Sequence, residues 1–225
     1  MVWALKCFRS AMERHQMLAA PLACLGLGGL MLLGLAPAFA NESLRSTFPG
    51  RLIGGGSRGE CAARLVINLV PRSTVFASGS DDLLAVLQGP SSDPRPLEIA
   101  FSAYDVEAGG TGNPVGQQVI PAGSASLVLL RSGASIRPLI WESSYQCDDD
   151  ASVDELSFIS AEAPPAVSLL VADAQPEDDA LQFTLSAWKS SCGRQLATQA
   201  GLSSAGLNGL DVSQWPEQLP VVCSF

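Results

Sequence analysis

Beyond residue 40 the sequence contains no histidine and no methionine, and its single lysine is Lys189. The first absence removes the side chain that titrates nearest neutral pH, and with it histidine-activated serine or cysteine nucleophiles and histidine metal ligation. Basic residues are also scarce: this part holds 21 acids and 10 bases, a net charge of −11. Such a chain has no cationic footprint for nucleic acid and is repelled by anionic lipid headgroups. No segment after residue 40 approaches the run of about eighteen apolar residues that a membrane-spanning helix needs. No reaction is indicated by what remains.

What is present at the start reads as an export leader. Lys6, Arg9 and Arg14 precede an uncharged, mostly apolar run from Met17 to Leu35, which closes on Ala36, Pro37 and the small-residue site Ala38-Phe39-Ala40. This is the pattern of a signal peptide cleaved before Asn41. A retained anchor is the competing reading, disfavoured by Pro21, Gly26, Gly28, Gly29 and Gly34 inside the run. Pro21-Leu22-Ala23 is a poor lipid-attachment sequence before Cys24. The expected location is therefore periplasmic or extracellular.

Export makes disulfides permissible. The mature cysteines are Cys61, Cys147, Cys192 and Cys223, with no CxxC spacing and no histidine to complete a zinc site. Four cysteines allow three pairings. Cys61–Cys147 with Cys192–Cys223 is favoured, because the first two flank a strand-rich region and the last two lie in a segment of different character.

Residues 41–60 are rich in Gly, Ser and Arg around Gly54-Gly55-Gly56 and are expected to form an extended arm or loop. Strands are expected at Ala63–Val70, Leu83–Leu87, Leu97–Tyr104, Leu127–Arg131, Ile136–Gln146 and Glu155–Ser160, separated by the turn-rich pieces Gly89–Pro94 and Gly109–Pro114. In Leu97–Tyr104 the large apolar side chains alternate, as in a strand with one buried face. After Pro164-Pro165, Leu181, Leu185, Trp188, Cys192 and Leu196 recur at helical spacing, behind the acids of Pro176-Glu177-Asp178-Asp179 and ahead of a stop at Gly201. Ala166–Ala174 suits a short helix or a strand, and the tail from Ser203 reads as loop. The fold class is mainly β: an antiparallel β-sandwich at 61–163 with a small helical C-terminal portion at 164–225 packed on it.

Most motif matches fail on context. Gly55-Gly56-Ser57-Arg58-Gly59 fits the nucleophile-elbow pattern, but no histidine base exists for Ser57 and a strand, not a helix, is expected next. Gly54, Gly56 and Gly59 fit a dinucleotide fingerprint without the preceding strand or the following helix. Asp148, Asp149, Asp150 and Asp154, with Glu155, place five carboxylates within eight residues, a candidate calcium site set against the favoured reading of a solvated acidic turn. Asp105, Glu107 and Glu142 sit near expected strand ends without a signature of paired acid and base catalysis. Trp141, Trp188 and Trp215 offer a carbohydrate-stacking platform, although core packing is favoured for the first two. Asn41-Glu42-Ser43 fits a glycosylation sequon.

The run from Phe48 to Cys61, with Arg51, the glycine triplet, Ser57, Arg58-Gly59 and Cys61, resembles the opening of an exported cyanobacterial family, domain of unknown function 928. Trp141 followed by Cys147-Asp148 is similar to the family's second landmark, and the stripe at Trp188 to its C-terminal helices. The resemblance implies export, a β-rich fold and a Cys61–Cys147 pair, and it implies no activity. Arg51, Arg58 and Trp141 are the candidate binding residues; for the two arginines, ordering the glycine loop against nearby carboxylates competes with a binding role.

The expected function is that of an exported, non-catalytic binding or structural module of the cell envelope, with an envelope protein or polysaccharide as partner and no cofactor. The alternatives are a carboxylate-based hydrolase acting on polysaccharide and a calcium-dependent adhesion module.

Overall fold

Leu83–Gln88 and Ser126–Arg131 are apolar at nearly every position, and every residue of the pair except Arg131 is buried. A strand that is apolar on both faces has to be covered on both. The computed structural model, which describes residues 44–55, 64–105, 107, 109–133, 138–146 and 164–225, supplies both covers. All of these residues belong to the unit Leu35–Phe225.

The elements run α1 (44–47), β1 (Ile53–Gly54), β2 (Val66–Asn68), β3 (Val75–Phe76), β4 (Leu83–Gln88), β5 (Leu97–Asp105), β6 (Gly110–Ile120), β7 (Ser126–Arg131), β8 (Leu139–Tyr145), β9 (Ala166–Leu170), α2 (Pro176–Lys189), β10 (Gln195–Ala197), α3 (Thr198–Ser204) and β11 (Gln218–Ser224). One sheet has the order β1-β2-β4-β7-β11-β10 and the other β3-β9-β8-β5-β6. They pack as a sandwich, with Val66, Val86 and Val128 of the first sharing a core with Leu97, Ile99, Phe101 and Trp141 of the second. The opposite face of the first sheet is covered by helix: Leu87, Leu127 and Leu219 meet Trp188 of α2 and Leu202 of α3.

The mainly β sandwich expected from the sequence is the fold observed, with corrections in detail. β7–β11 and β3–β9 pair in parallel, so both sheets are mixed. β9 and β11 pair inside the two sheets, so the sandwich does not end at residue 163. Ala166–Ala174 resolves into strand β9, and the loop-like tail contains β11. Gly109–Pro114 begins an eleven-residue strand, β6. Its glycines and Pro114 are tolerated because it lies at a sheet edge, and its register against β5 shifts near Pro114. The expected strand at Glu155–Ser160 lies outside the described residues.

The helical stripe also ends earlier than its spacing suggests. α2 stops at Lys189, a turn with Gly193 at φ 72° follows, and Leu196 enters β10, while Gly201 falls inside α3. Cys192 and Leu196 still pack against the core, because the disulfide Cys192–Cys223 fixes the turn to β11.

The expected N-terminal arm is not extended over 44–55. β1 pairs with β2, and Arg51 bridges Val167 of β9. Leu44 and Phe48 pack on Val75, Ile140 and Leu169, a second apolar cluster on the outer face of the second sheet. Gly54 permits this approach, since a Cβ there would stand 2.3 Å from the Ala166 amide nitrogen.

The Cys192–Cys223 bond spans 31 residues of sequence. Replacing both cysteines with alanine should cost about 2–4 kcal/mol. Thermal melts should then show a Tm lower by roughly 5–15 °C, and reductant should have no further effect through this pair.

Candidate functional site

A groove of about 470 Å³ lies between the Pro71–Ser73 turn and α2, with Ser204 and Ala205 at its end. Its apolar lining comes from Val70, Leu181 and the exposed Ala180, and its polar lining includes Arg72, Glu177 and Thr184. Small side chains on α2 create the space, since Ala180 and Thr184 stand one turn apart on the face that looks toward the turn.

The turn that forms the other wall is held in an unfavourable backbone state. Thr74 has φ 60°, a conformation that a β-branched residue seldom adopts. Its N–H donates to the Pro71 carbonyl at 2.9 Å and its carbonyl accepts from Leu169 N–H at 2.9 Å, so strand β9 fixes it. Gly50 lies against its side chain, where a Cβ would come within 2.1 Å of the Thr74 hydroxyl oxygen. Strain of this kind costs about 1–3 kcal/mol and persists where the surroundings over-determine it. Here it presents Arg72 outward, exposed at the groove rim.

Beneath the groove, α2 starts on an ion pair. Asp178 is fully buried, accepts from the Gln175 N–H at 2.8 Å and pairs with Arg45 of α1 at 2.5 Å. Arg45 also donates to the Val75 carbonyl at 3.3 Å and the Asp173 carbonyl at 2.9 Å. One guanidinium therefore joins the N-terminal segment, β3 and the start of α2. Nothing in the sequence signals Arg45, and Asp178 reads there only as a first-turn acid.

A second buried arginine orders the opposite region. Arg64 donates to the carbonyls of Gly89, Gly123 and Ser124 at 2.8–2.9 Å and lies 4.9 Å over the Tyr145 ring. Tyr145 in turn donates to the Leu65 carbonyl at 3.1 Å. Burial lowers the Arg64 guanidinium from its ordinary value, partly opposed by Tyr145, and raises the Tyr145 hydroxyl well above the usual phenol range, partly opposed by Arg64. Its one sequence signal is a charge at the head of an otherwise apolar strand pattern.

Among the described residues, those singled out in the sequence do not converge. Trp141 is fully buried, because alternation along β8 turns it inward with Leu139 and Tyr145, so it belongs to the core and not to a binding surface. Trp188 is also buried, and Trp215 is half-buried against the same core. Arg51 is exposed and held only through its backbone, 2.8 Å and 2.6 Å from Val167. Arg58, Ser57, Cys61, Cys147, Asp148, Asp149, Asp150 and Asp154 lie outside the described residues. Among the described residues no three His, Cys, Asp or Glu side chains are grouped to hold a metal ion. Nor is any helix there long and apolar enough to cross a membrane. Comparison with protein-family models, with curated proteins and with solved structures gives no match.

Two outcomes follow. Arg45→Ala leaves the Asp178 charge buried without its partner, so urea unfolding should show a loss of about 3–5 kcal/mol, largely shared with Asp178→Asn in a double-mutant cycle. For Tyr145 the unfolded phenol titrates near pH 10 and the folded one higher. Below pH 10 both states keep the proton and stability is unaffected. Above it the unfolded state loses the proton first, so stability falls with rising pH, by at most about 1.4 kcal/mol per pH unit. Thermal melts above pH 10 should show this decline, and Tyr145→Phe should reduce it.

Proposed function

We propose that the chain acts outside the cytoplasm as a non-catalytic, disulfide-stapled module that binds an envelope protein or other envelope component through the groove between the Pro71–Ser73 turn and α2. The observation that carries this reading is the groove itself: an apolar lining, a rim of mixed charge, and a wall held in place at the expense of backbone strain at Thr74. Concave apolar surfaces edged by a few polar groups are the usual form of a recognition site. Export is supported by the leader pattern in residues 1–40 and by the Cys192–Cys223 bond.

A Cys61–Cys147 bond is part of this proposal. It is supported by the described neighbours of the two cysteines: Arg64, three residues after the first, lies over Tyr145, two residues before the second. With Cys192 and Cys223 already joined, these two remain among the cysteines after residue 40. Non-reducing peptide mapping of the exported protein should give one Cys61–Cys147 peptide; two alkylatable thiols would remove the bond from the proposal.

The binding reading is tested by crosslinked capture from an envelope fraction with the wild-type chain and with Ala180→Arg, which fills the groove from an exposed helix position. The wild type should retain a defined partner and the variant should lose it at an unchanged Tm. Equal recovery by both chains, or none by either, counts against the groove.

A further inference from the structure

We propose that the chain pairs with a second copy of itself through β6, in an antiparallel two-fold contact centred on Gln117. Among the described residues β6 is the long open edge. The other three strands at sheet ends, β1, β3 and β10, have two or three residues each, whereas β6 has eleven and no strand on its outer side among the described residues. An exposed edge presents unpaired N–H and C=O groups that a further strand can satisfy, and such edges are ordinarily blunted with lysine or another charge.

β6 carries no charge in Gly110–Ile120, in a chain with 22 acids and 13 bases. Two acidic copies repel over most of their surfaces, and this strand is where they can approach without opposing like charges. The residues are also self-complementary. In Val115-Gly116-Gln117-Gln118-Val119, a two-fold axis at Gln117 sets Val115 of one copy opposite Val119 of the other and leaves the polar glutamines between the two apolar pairs. Val115 and Val119 are 60% and 47% exposed, so both are free to be covered.

The same strand limits what can form. Pro114 has no N–H to offer, and the register against β5 passes from Gly116 to Pro114 with Val115 left over at the shift, so the pairable run reaches from Val115, its last member, to Ile120. The far end of this sheet is β3, only two residues long, so a head-to-tail chain of copies has no second edge to use. The contact closes as a dimer.

Sedimentation equilibrium on the chain purified without its leader should show a monomer and dimer in exchange across the micromolar range. Val119→Lys, at an exposed site, should weaken the dimer by about tenfold or more at an unchanged Tm, and Phe183→Asp, on the 79% exposed α2 side chain, should leave it intact. A wild-type chain that stays monomeric throughout overturns the proposal, as does a dimer that survives Val119→Lys or is lost in Phe183→Asp. None of these outcomes depends on a partner in the groove.

Discussion

The central strands of the first sheet have no solvent-facing side. β4 and β7 are buried along their lengths on both faces, and this double burial governs how the chain is arranged around them. One face takes the second sheet and the other takes α2 and α3, giving three layers. At about 25 cal/mol per Å² of apolar surface removed from water, neither cover is dispensable. The disulfide belongs to the same requirement. By joining the turn after α2 to β11 it holds the helical layer to the sheet that the layer must cover.

Some of the buried polar groups join layers. Asn68 of β2 donates to Ser168 of β9 at 3.2 Å across the sandwich, from a fully buried position. Arg45 performs a similar task at the periphery, bringing together the N-terminal segment, β3 and α2. A buried ion pair adds little over a well-packed apolar contact, but losing one member leaves a stranded charge. The pair therefore specifies which helix start lies against which segment. The groove stands on this junction, since Glu177 at its rim adjoins Asp178 beneath it.

Local patterns in the sequence carried the strands whose residues are apolar throughout or alternate cleanly. β4, β5, β7 and β8 lie within two or three residues of their expected bounds. Elements formed by their neighbours were not legible. β6 is written in turn residues and becomes a strand because β5 offers it a partner. β11 is a short apolar run behind Pro220, recognisable only with β7 and β10 beside it. α2 was legible as a stripe, but its end was not, because tertiary packing continues the stripe through Cys192 and Leu196 after the helix stops. Of the candidate site, Trp141 was read both as a core residue, which the structure bears out, and as a binding residue, because a tryptophan in a strand has no pattern that distinguishes inward from outward until register is known. Arg72, Ser73 and the small residues of α2 form a groove only through contacts between distant segments.

The parallel pairing of β11 with β7 joins Val221 to Leu127 across most of the second half of the chain. Contacts at such separation form late, because the entropy of closing the intervening loop must be met before they contribute. Until Val221–Ser224 have been synthesised, β7 has an unpaired, fully apolar flank, and the first sheet lacks the strand between β7 and β10. A nascent chain thus cannot complete the first sheet until Val221–Ser224 have been made.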